Sequence, residues 1–156
     1  MSAEVGQPAP EFTLPGSDNT DAGRRAYSLA EYRGKVVVLV FYPGDNTPVC
    51  TRQLNAYTED IDSFEEAGAQ VLAVSPQSVQ SHDEFSCKQG GFAFPLLADT
   101  DKAVGEAYGI LGPLGFYRRS AFVVDRDGII RYAHRAVAGL TFRSTNELVE
   151  AVRAAS

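Results

Sequence analysis

Four side chains supply all the thiol and imidazole chemistry of this chain: Cys50, Cys87, His82 and His134. Cys50 ends the segment FYPGDNTPVC, Phe41 to Cys50. Thr47 is a preferred N-cap residue, and Pro48 suits the first helical position, where its missing N–H is no loss. That count makes Cys50 the third residue of a helix. Unpaired N–H groups and the helix dipole favour an anion there, and a thiolate is an anion. An ordinary cytosolic cysteine is a small buried hydrophobe. Here a strand end, a Pro-containing approach and a helix start coincide, which argues for a working thiol. The residues three before and three after Cys50 are Thr47 and Gln53. No C-x-x-C motif is present, so thioredoxin-type dithiol exchange at this helix is excluded.

A metal site is not expected. The successive spacings among Cys50, His82, Cys87 and His134 are 32, 5 and 47 residues, with no close ligand pair of the kind structural zinc needs. His82 is expected on the surface near a helix start, and His134 on an exposed strand face. GILGPLG, Gly109 to Gly115, is glycine-rich but follows no strand, and reads as a loop rather than a phosphate cradle. No bound cofactor is implied.

The elements that must position Cys50 follow from periodicity. KVVVLVFY is a continuous β-branched and aromatic run, the mark of a strand buried on both faces. Leu54, Tyr57, Ile61 and Phe64 carry helical spacing, which predicts one helix from Pro48 to a C-cap at Gly68. AQVLAVS, Ala69 to Ser75, reads as a second buried strand. Ser81 and Glu84 have capping-box form and predict a helix to about Gly90. Phe94 to Asp99 reads as a short edge strand, and Asp101 to Tyr108 as a short helix. Ser120 to Asp125 and Ile129 to His134 form a hairpin about Asp125-Arg126-Asp127-Gly128. Ser144 and Glu147 start a last helix to Ala154. Nearer the start, Glu11 to Leu14 reads as a strand among turns, and Ser28 with Glu31 begins a short helical turn.

Strands separated by helices imply parallel crossovers, and the late hairpin adds antiparallel strands. The expected fold is α/β: a central mixed sheet flanked by helices, thioredoxin-like. A flavodoxin-like sheet would want a fifth parallel strand in place of the hairpin. A chain of 156 residues with ordinary composition fits one domain, 1–156. With 14 Lys and Arg against 20 Asp and Glu, the net charge is −6. That acidity argues against nucleic-acid and anionic-membrane partners. The start lacks the basic and apolar regions of a signal peptide, and the longest strongly apolar run is seven residues, Val36 to Tyr42. Cytoplasmic residence is expected, where a permanent disulfide is unusual.

PGDNTPVC fits the P-x-x-x-T-x-x-C signature of the peroxiredoxins, thiol peroxidases built on the thioredoxin fold. The chain resembles that family over most of its length, through GQPAPEFTL, KVVVLVFYP, FPLLAD and RRSAFVVDRDGIIRY. The branch it resembles is the bacterioferritin-comigratory or Q type. The resemblance implies that Cys50 attacks the peroxide O–O bond as a thiolate. It implies that Thr47 hydrogen-bonds thiolate and peroxide and that Pro43 shields the thiolate. It implies that Arg119, three residues before Phe122, stabilises the charge, with Arg118 the adjacent and less suited cation. A free thiol has a pKa of about 8.5, and helix N-termini and guanidinium groups favour the thiolate.

Cys87 lies 37 residues after Cys50, near a resolving position of one Q-type pattern; the other pattern would need cysteine where Asn55 stands. The resemblance implies an intramolecular Cys50–Cys87 disulfide. The alternative is a structural Cys87 with resolution by an outside thiol. Many members carry Glu three residues after the cysteine, where this chain has Gln53. The implied activity is reduction of hydrogen peroxide and organic hydroperoxides, with electrons from thioredoxin or a similar dithiol. The implied state is a monomer or weak homodimer. A second reading is a peroxide-sensing relay that passes oxidation to a partner protein. A third is an adaptor with inert cysteines.

Overall fold

A computed structural model of the chain describes residues 3–18, 20–45, 47–136 and 142–156. Asn46 of the signature segment lies outside them. In chain order the elements are β1 (Thr13–Ser17), β2 (Arg25–Ser28), a 3-10 turn (Leu29–Tyr32), β3 (Val36–Phe41), α1 (Pro48–Glu59), α2 (Ile61–Glu66), β4 (Ala69–Ser75) and α3 (Val79–Lys88). There follow β5 (Leu96–Ala98), α4 (Ala103–Ala107), a 3-10 turn (Pro113–Gly115), β6 (Ser120–Val124), β7 (Ile130–Arg135) and α5 (Thr145–Ala155). One mixed seven-stranded sheet runs in the order β2-β1-β5-β4-β3-β6-β7. β3, β4 and β5 are parallel, whereas β6 and β7 add antiparallel to β3.

Strand alternation divides the interior into two cores. Val36, Val38 and Val40 of β3 and Ala121 and Val123 of β6 pack with Cys50, Leu54, Tyr57, Phe64, Phe85 and Leu148, so this face is covered by α1, α2, α3 and α5. Val37, Leu39 and Phe41 face the other way, with Phe122, Val104 and Tyr108. β3 is buried at all six positions, as its unbroken apolar run requires.

Several expectations need correction. The helix expected from Pro48 to Gly68 is two helices, broken at Asp60, whose φ of −101° and ψ of 19° leave the helical region. The strand expected over Glu11 to Leu14 lies instead over Thr13–Ser17, as β1, and it pairs with β2, an element the sequence reading missed. The short strand near Phe94 is not at an edge, because β5 lies between β1 and β4. The cap of α3 is Ser78, whose hydroxyl accepts from Ser81 N at 3.1 Å, so Ser81 and Glu84 form no capping box at that helix start. The Ser28 and Glu31 pair does form, with Ser28 N donating to Glu31 Oε1 at 2.9 Å.

The β6–β7 hairpin sets where the residues before β6 fall. Asp125 Oδ1 accepts from Asp127 N and Ile129 N, both at 2.9 Å, and Oδ2 accepts from Arg131 Nε at 2.7 Å. Gly128 adopts a φ of +85°, which a Cβ would disfavour. Burial opposes the charge on Asp125, but the bonds from Ile129 N, Arg131 and Asp127 N outweigh it and hold its carboxyl below the ordinary value. A depressed folded pKa gives stability that is present above the unfolded value of about 3.9 and lost as pH falls through the folded one. Asp125→Asn is therefore expected to lower the urea stability at pH 7 by about 1–3 kcal/mol. The gap from wild type should close in titrations below about pH 4; a gap that stays constant with pH would sink this account.

Candidate active site

Thr47 and Pro48 start α1 as their types require. Thr47 is extended, at φ −89° and ψ 147°, and Pro48 is the first helical residue. Cys50 thus occupies the third position and is fully buried, at 0% exposure. Helical spacing places Cys50, Gln53, Leu54 and Tyr57 on one face of α1, and all four are buried.

The cation comes from the residue before β6, the strand that pairs with β3. Arg119 shares strand parity with Ala121 and Val123, which line the core that holds Cys50. Its Nη2 donates to Cys50 Sγ at 3.2 Å, and its Nη1 donates to Gln53 Oε1 at 2.6 Å. Arg118 has the opposite parity. Its Nε donates instead to Ala136 O at 3.0 Å and its Nη2 to Arg135 O at 3.3 Å. The fork of Arg119 is oriented by a chain of polar groups: Gln53 Nε2 faces Tyr57 Oη at 3.5 Å, and Tyr57 Oη donates to Arg143 O at 2.6 Å. Burial pushes the Tyr57 phenol up to about 12, so it remains a donor at neutral pH. Gln53 supplies an acceptor without a charge.

Pro43 and Thr47 are exposed in the turn between β3 and α1. The Thr47 hydroxyl donates to Gly44 O at 3.0 Å rather than to the sulfur, because the tight turn presents a carbonyl to it. Cys50 and Arg119 are therefore brought into contact, whereas Thr47 and Pro43 border the site without a hydrogen bond to Sγ. Cys87 is a free, exposed thiol on α3, whose inward face carries His82, Phe85 and Ser86. α3 ends close to α1: Asn55 Nδ2 donates to Gln89 Oε1 at 3.0 Å. No disulfide joins the two cysteines in this arrangement.

Both histidine expectations change. His82 is 1% exposed, not on the surface, because it is bonded to Asp45 and to Leu97 O. His134 on β7 is half-buried, and desolvation together with Arg143 holds its imidazole below the ordinary value. Among the described residues no group of three or more His, Cys, Asp and Glu side chains is gathered as a metal site would require. No helix among them is long and apolar enough to cross a membrane. The sequence reading missed Tyr57 as a site residue. Its spacing of seven from Cys50 and four from Gln53 was the available signal.

The AhpC/TSA family model matches residues 5–133. The chain belongs to the AhpC/TSA family. It is 39% identical over 137 residues to the peroxiredoxin bcp of Coxiella burnetii, covering 83% of this chain and 87% of that one. It is 36% identical over 131 residues to the chloroplastic peroxiredoxin Q of Oryza sativa subsp. japonica, covering 83% of this chain and 58% of that protein. The crystal structure of a cysteine-to-serine mutant of Xylella fastidiosa PrxQ superposes with a TM-score of 0.86 at 29% identity, covering 99% of this chain and 98% of that one. The fold is therefore the thioredoxin-like fold of the peroxiredoxins. The chain is a thiol peroxidase, an oxidoreductase of the peroxiredoxin type.

The contact at 3.2 Å makes Arg119 the cation that faces the sulfur of this peroxiredoxin. Arg119→Ala should slow the reaction with hydrogen peroxide by on the order of 10²–10³-fold in stopped flow, the effect of removing one preorganised charge-stabilising donor. Arg119→Lys should recover only part of that, because an ammonium cannot bond Cys50 and Gln53 as a fork does. Arg118→Ala serves as the control. An equal loss there would mean that strand parity has not selected the working guanidinium.

Proposed function

We propose that Cys50 is the attacking thiol of this peroxidase and that Arg119 holds the charge through the reaction. The contact between Arg119 Nη2 and Cys50 Sγ is the observation that carries this reading. The thiolate attacks the nearer peroxide oxygen, a sulfur–oxygen bond forms, and the O–O bond breaks. The sulfur is oxidised to the sulfenic acid, Cys–SOH, and the departing oxygen leaves as alkoxide or hydroxide, taking a proton to become alcohol or water. Negative charge moves from sulfur to oxygen along this path. A guanidinium has donors for both positions, and it stays charged throughout.

Cys50 has 0% exposure, so peroxide enters only where the wall is thin. The exposed turn with Pro43 and Thr47 is the entry side in this reading. A small movement frees the Thr47 hydroxyl from Gly44 O to donate to the bound peroxide. Pro43 offers no N–H and limits water at the same lip.

Cys87 is the resolving thiol in this proposal. Its sulfur attacks Cys50–SOH, water leaves, and a disulfide forms. A dithiol carrier of the thioredoxin type then gives two electrons and two protons to restore both thiols. One sulfur is buried on α1 and the other exposed on α3, and a disulfide needs Cα atoms within roughly 7 Å with facing Cβ vectors. The first turn of α1 opens to deliver Cys50. The bond between Asn55 and Gln89 supports the choice of Cys87, because it brings the end of α3 against the helix of Cys50. The remaining parts of the proposal are a single domain over 1–156, residence in the reducing cytoplasm, and a monomer or weak homodimer.

Cys50→Ser should abolish peroxide consumption in the presence of thioredoxin, its reductase and NADPH, and retained turnover would overturn the assignment. After one equivalent of peroxide, mass spectrometry of the wild type should show a loss of two hydrogens. Cys87→Ser should instead show a gain of one oxygen. A wild type that also keeps the oxygen assigns resolution to an outside thiol. A relay would consume about one equivalent without its partner protein, whereas a peroxidase turns over many times.

A further inference from the structure

Asp45 and His82 are ionisable, fully enclosed, and unused by the peroxide chemistry. Both side chains are 0% exposed, and His82 Nδ1 lies 2.8 Å from Asp45 Oδ2. His82 Nε2 lies 2.9 Å from Leu97 O, which can only accept, so Nε2 carries a hydrogen. The ring is thereby held at both ends, by Asp45 at Nδ1 and by Leu97 O at Nε2. Asp45 Oδ1 also accepts from the Tyr42 hydroxyl at 2.7 Å, and Oδ2 from the Ser81 hydroxyl at 2.7 Å. The backbone N–H of Asp45 donates to the side-chain oxygen of Gln77. The turn after β3 is therefore held from the β4–α3 loop, from α3 and from β5.

This turn leads directly to the attacking thiol. Thr47 is tied back to Gly44 O at 3.0 Å, and α1 begins at the next residue. Tyr42 belongs to the same core as Cys50. Burial, then Asp45, and more weakly the charge on Cys50 hold its phenol well above the ordinary value, so Tyr42 stays a donor to Asp45. Apolar side chains would fill this space with less desolvation than an acid and an imidazole. What the pair adds is direction: its bonds exist only while turn, α3 and β5 keep one arrangement. α3 also carries both ends of the problem, with His82 on its buried face and Cys87 exposed five residues later.

Resting on the reading of Cys50 as attacking thiol and Cys87 as its resolver, we propose that Asp45 and His82 are a positioning pair. The pair is made while Cys50 sits against Arg119 and is lost when Cys50 turns out toward Cys87. It thereby sets the ratio of peroxide capture to disulfide formation. A contact can bias such a balance only if it differs between the two arrangements. A movement of the turn relative to α3 breaks the bonds from Ser81 and His82 together.

Asp45→Asn and His82→Gln should each shift the balance toward the open arrangement, and Ser81→Ala should do so more weakly. In rapid-mixing measurements, capture of hydrogen peroxide is expected to slow by about tenfold. Conversion of the sulfenic acid to the disulfide is expected to speed up by about tenfold, the equivalent of about 1.4 kcal/mol. Less Cys50 should then reach the sulfinic acid at a given excess of peroxide. General damage would slow both steps, so their opposite movement is the signature. Folded variants with wild-type rates for both steps overturn the proposal. Should a variant not fold, the wild-type His82 ring decides through its ¹⁵N resonances. Nδ1 and Nε2 shifts that differ between the reduced and disulfide forms support the pair, and identical shifts overturn it. A wild type that forms no Cys50–Cys87 disulfide sinks the resolving role of Cys87 instead; the variants' peroxide rates then still decide for the pair.

Discussion

The guanidinium of Arg119 against the sulfur of Cys50 is the contact on which the rest of the structure depends. In the proposed chemistry Cys50 acts as an anion, and it is buried at 0% exposure, where an unpaired charge would be strongly disfavoured. The helix start helps, but its field is weak and diffuse beside a cation at 3.2 Å. Keeping that cation aimed requires two frames to agree. α1 must present Cys50 and Gln53 on one face, and β6 must present Arg119 on the facing side of the sheet. The central strand β3 joins them, since it leads toward α1 through the turn of Pro43 and Thr47 and pairs with β6 from Val37 to Phe41.

The same burial creates the second constraint. Cys50 is enclosed in the core, whereas Cys87 is exposed on α3. In the proposed cycle, which joins the two sulfurs, one segment must open more readily than its surroundings. The far part of α1 is a poor candidate, because Leu54 and Tyr57 are fully buried and the Tyr57 hydroxyl bonds to Arg143 O at 2.6 Å. The first turn is better suited. It hangs from a short approach that is held by a few polar contacts, those of Asp45 foremost among them.

Much of this was legible residue by residue. The run from Val36 to Phe41 could only be a strand buried on both faces, and Thr47-Pro48 could only start a helix beside it. Cys50 as the third helical residue followed from counting. Arg119 followed from the resemblance rather than from any rule of spacing, and strand parity explains it only once β6 is known to pair with β3. Local geometry broke the helix at Asp60 and moved the cap of α3 to Ser78, whereas two further failures came from partners distant in sequence. The edge position expected for β5 failed because β1 returns to pair with it, through Gly16 and Leu97. The surface position expected for His82 failed because Asp45 is 37 residues before it in the chain.

By itself the sequence determined the α/β order, the helix start at Cys50 and the family signature. Those depend on local chemistry: caps, side-chain periodicity and the fixed φ of proline. Only the tertiary structure decided which arginine meets the sulfur, that Gln53 and Tyr57 orient it, and that an acid and a histidine are joined beside the turn that leads to Cys50. Each of those depends on side chains from different strands and helices arriving within hydrogen-bond distance. Chain order does not encode that distance; sheet register and packing do.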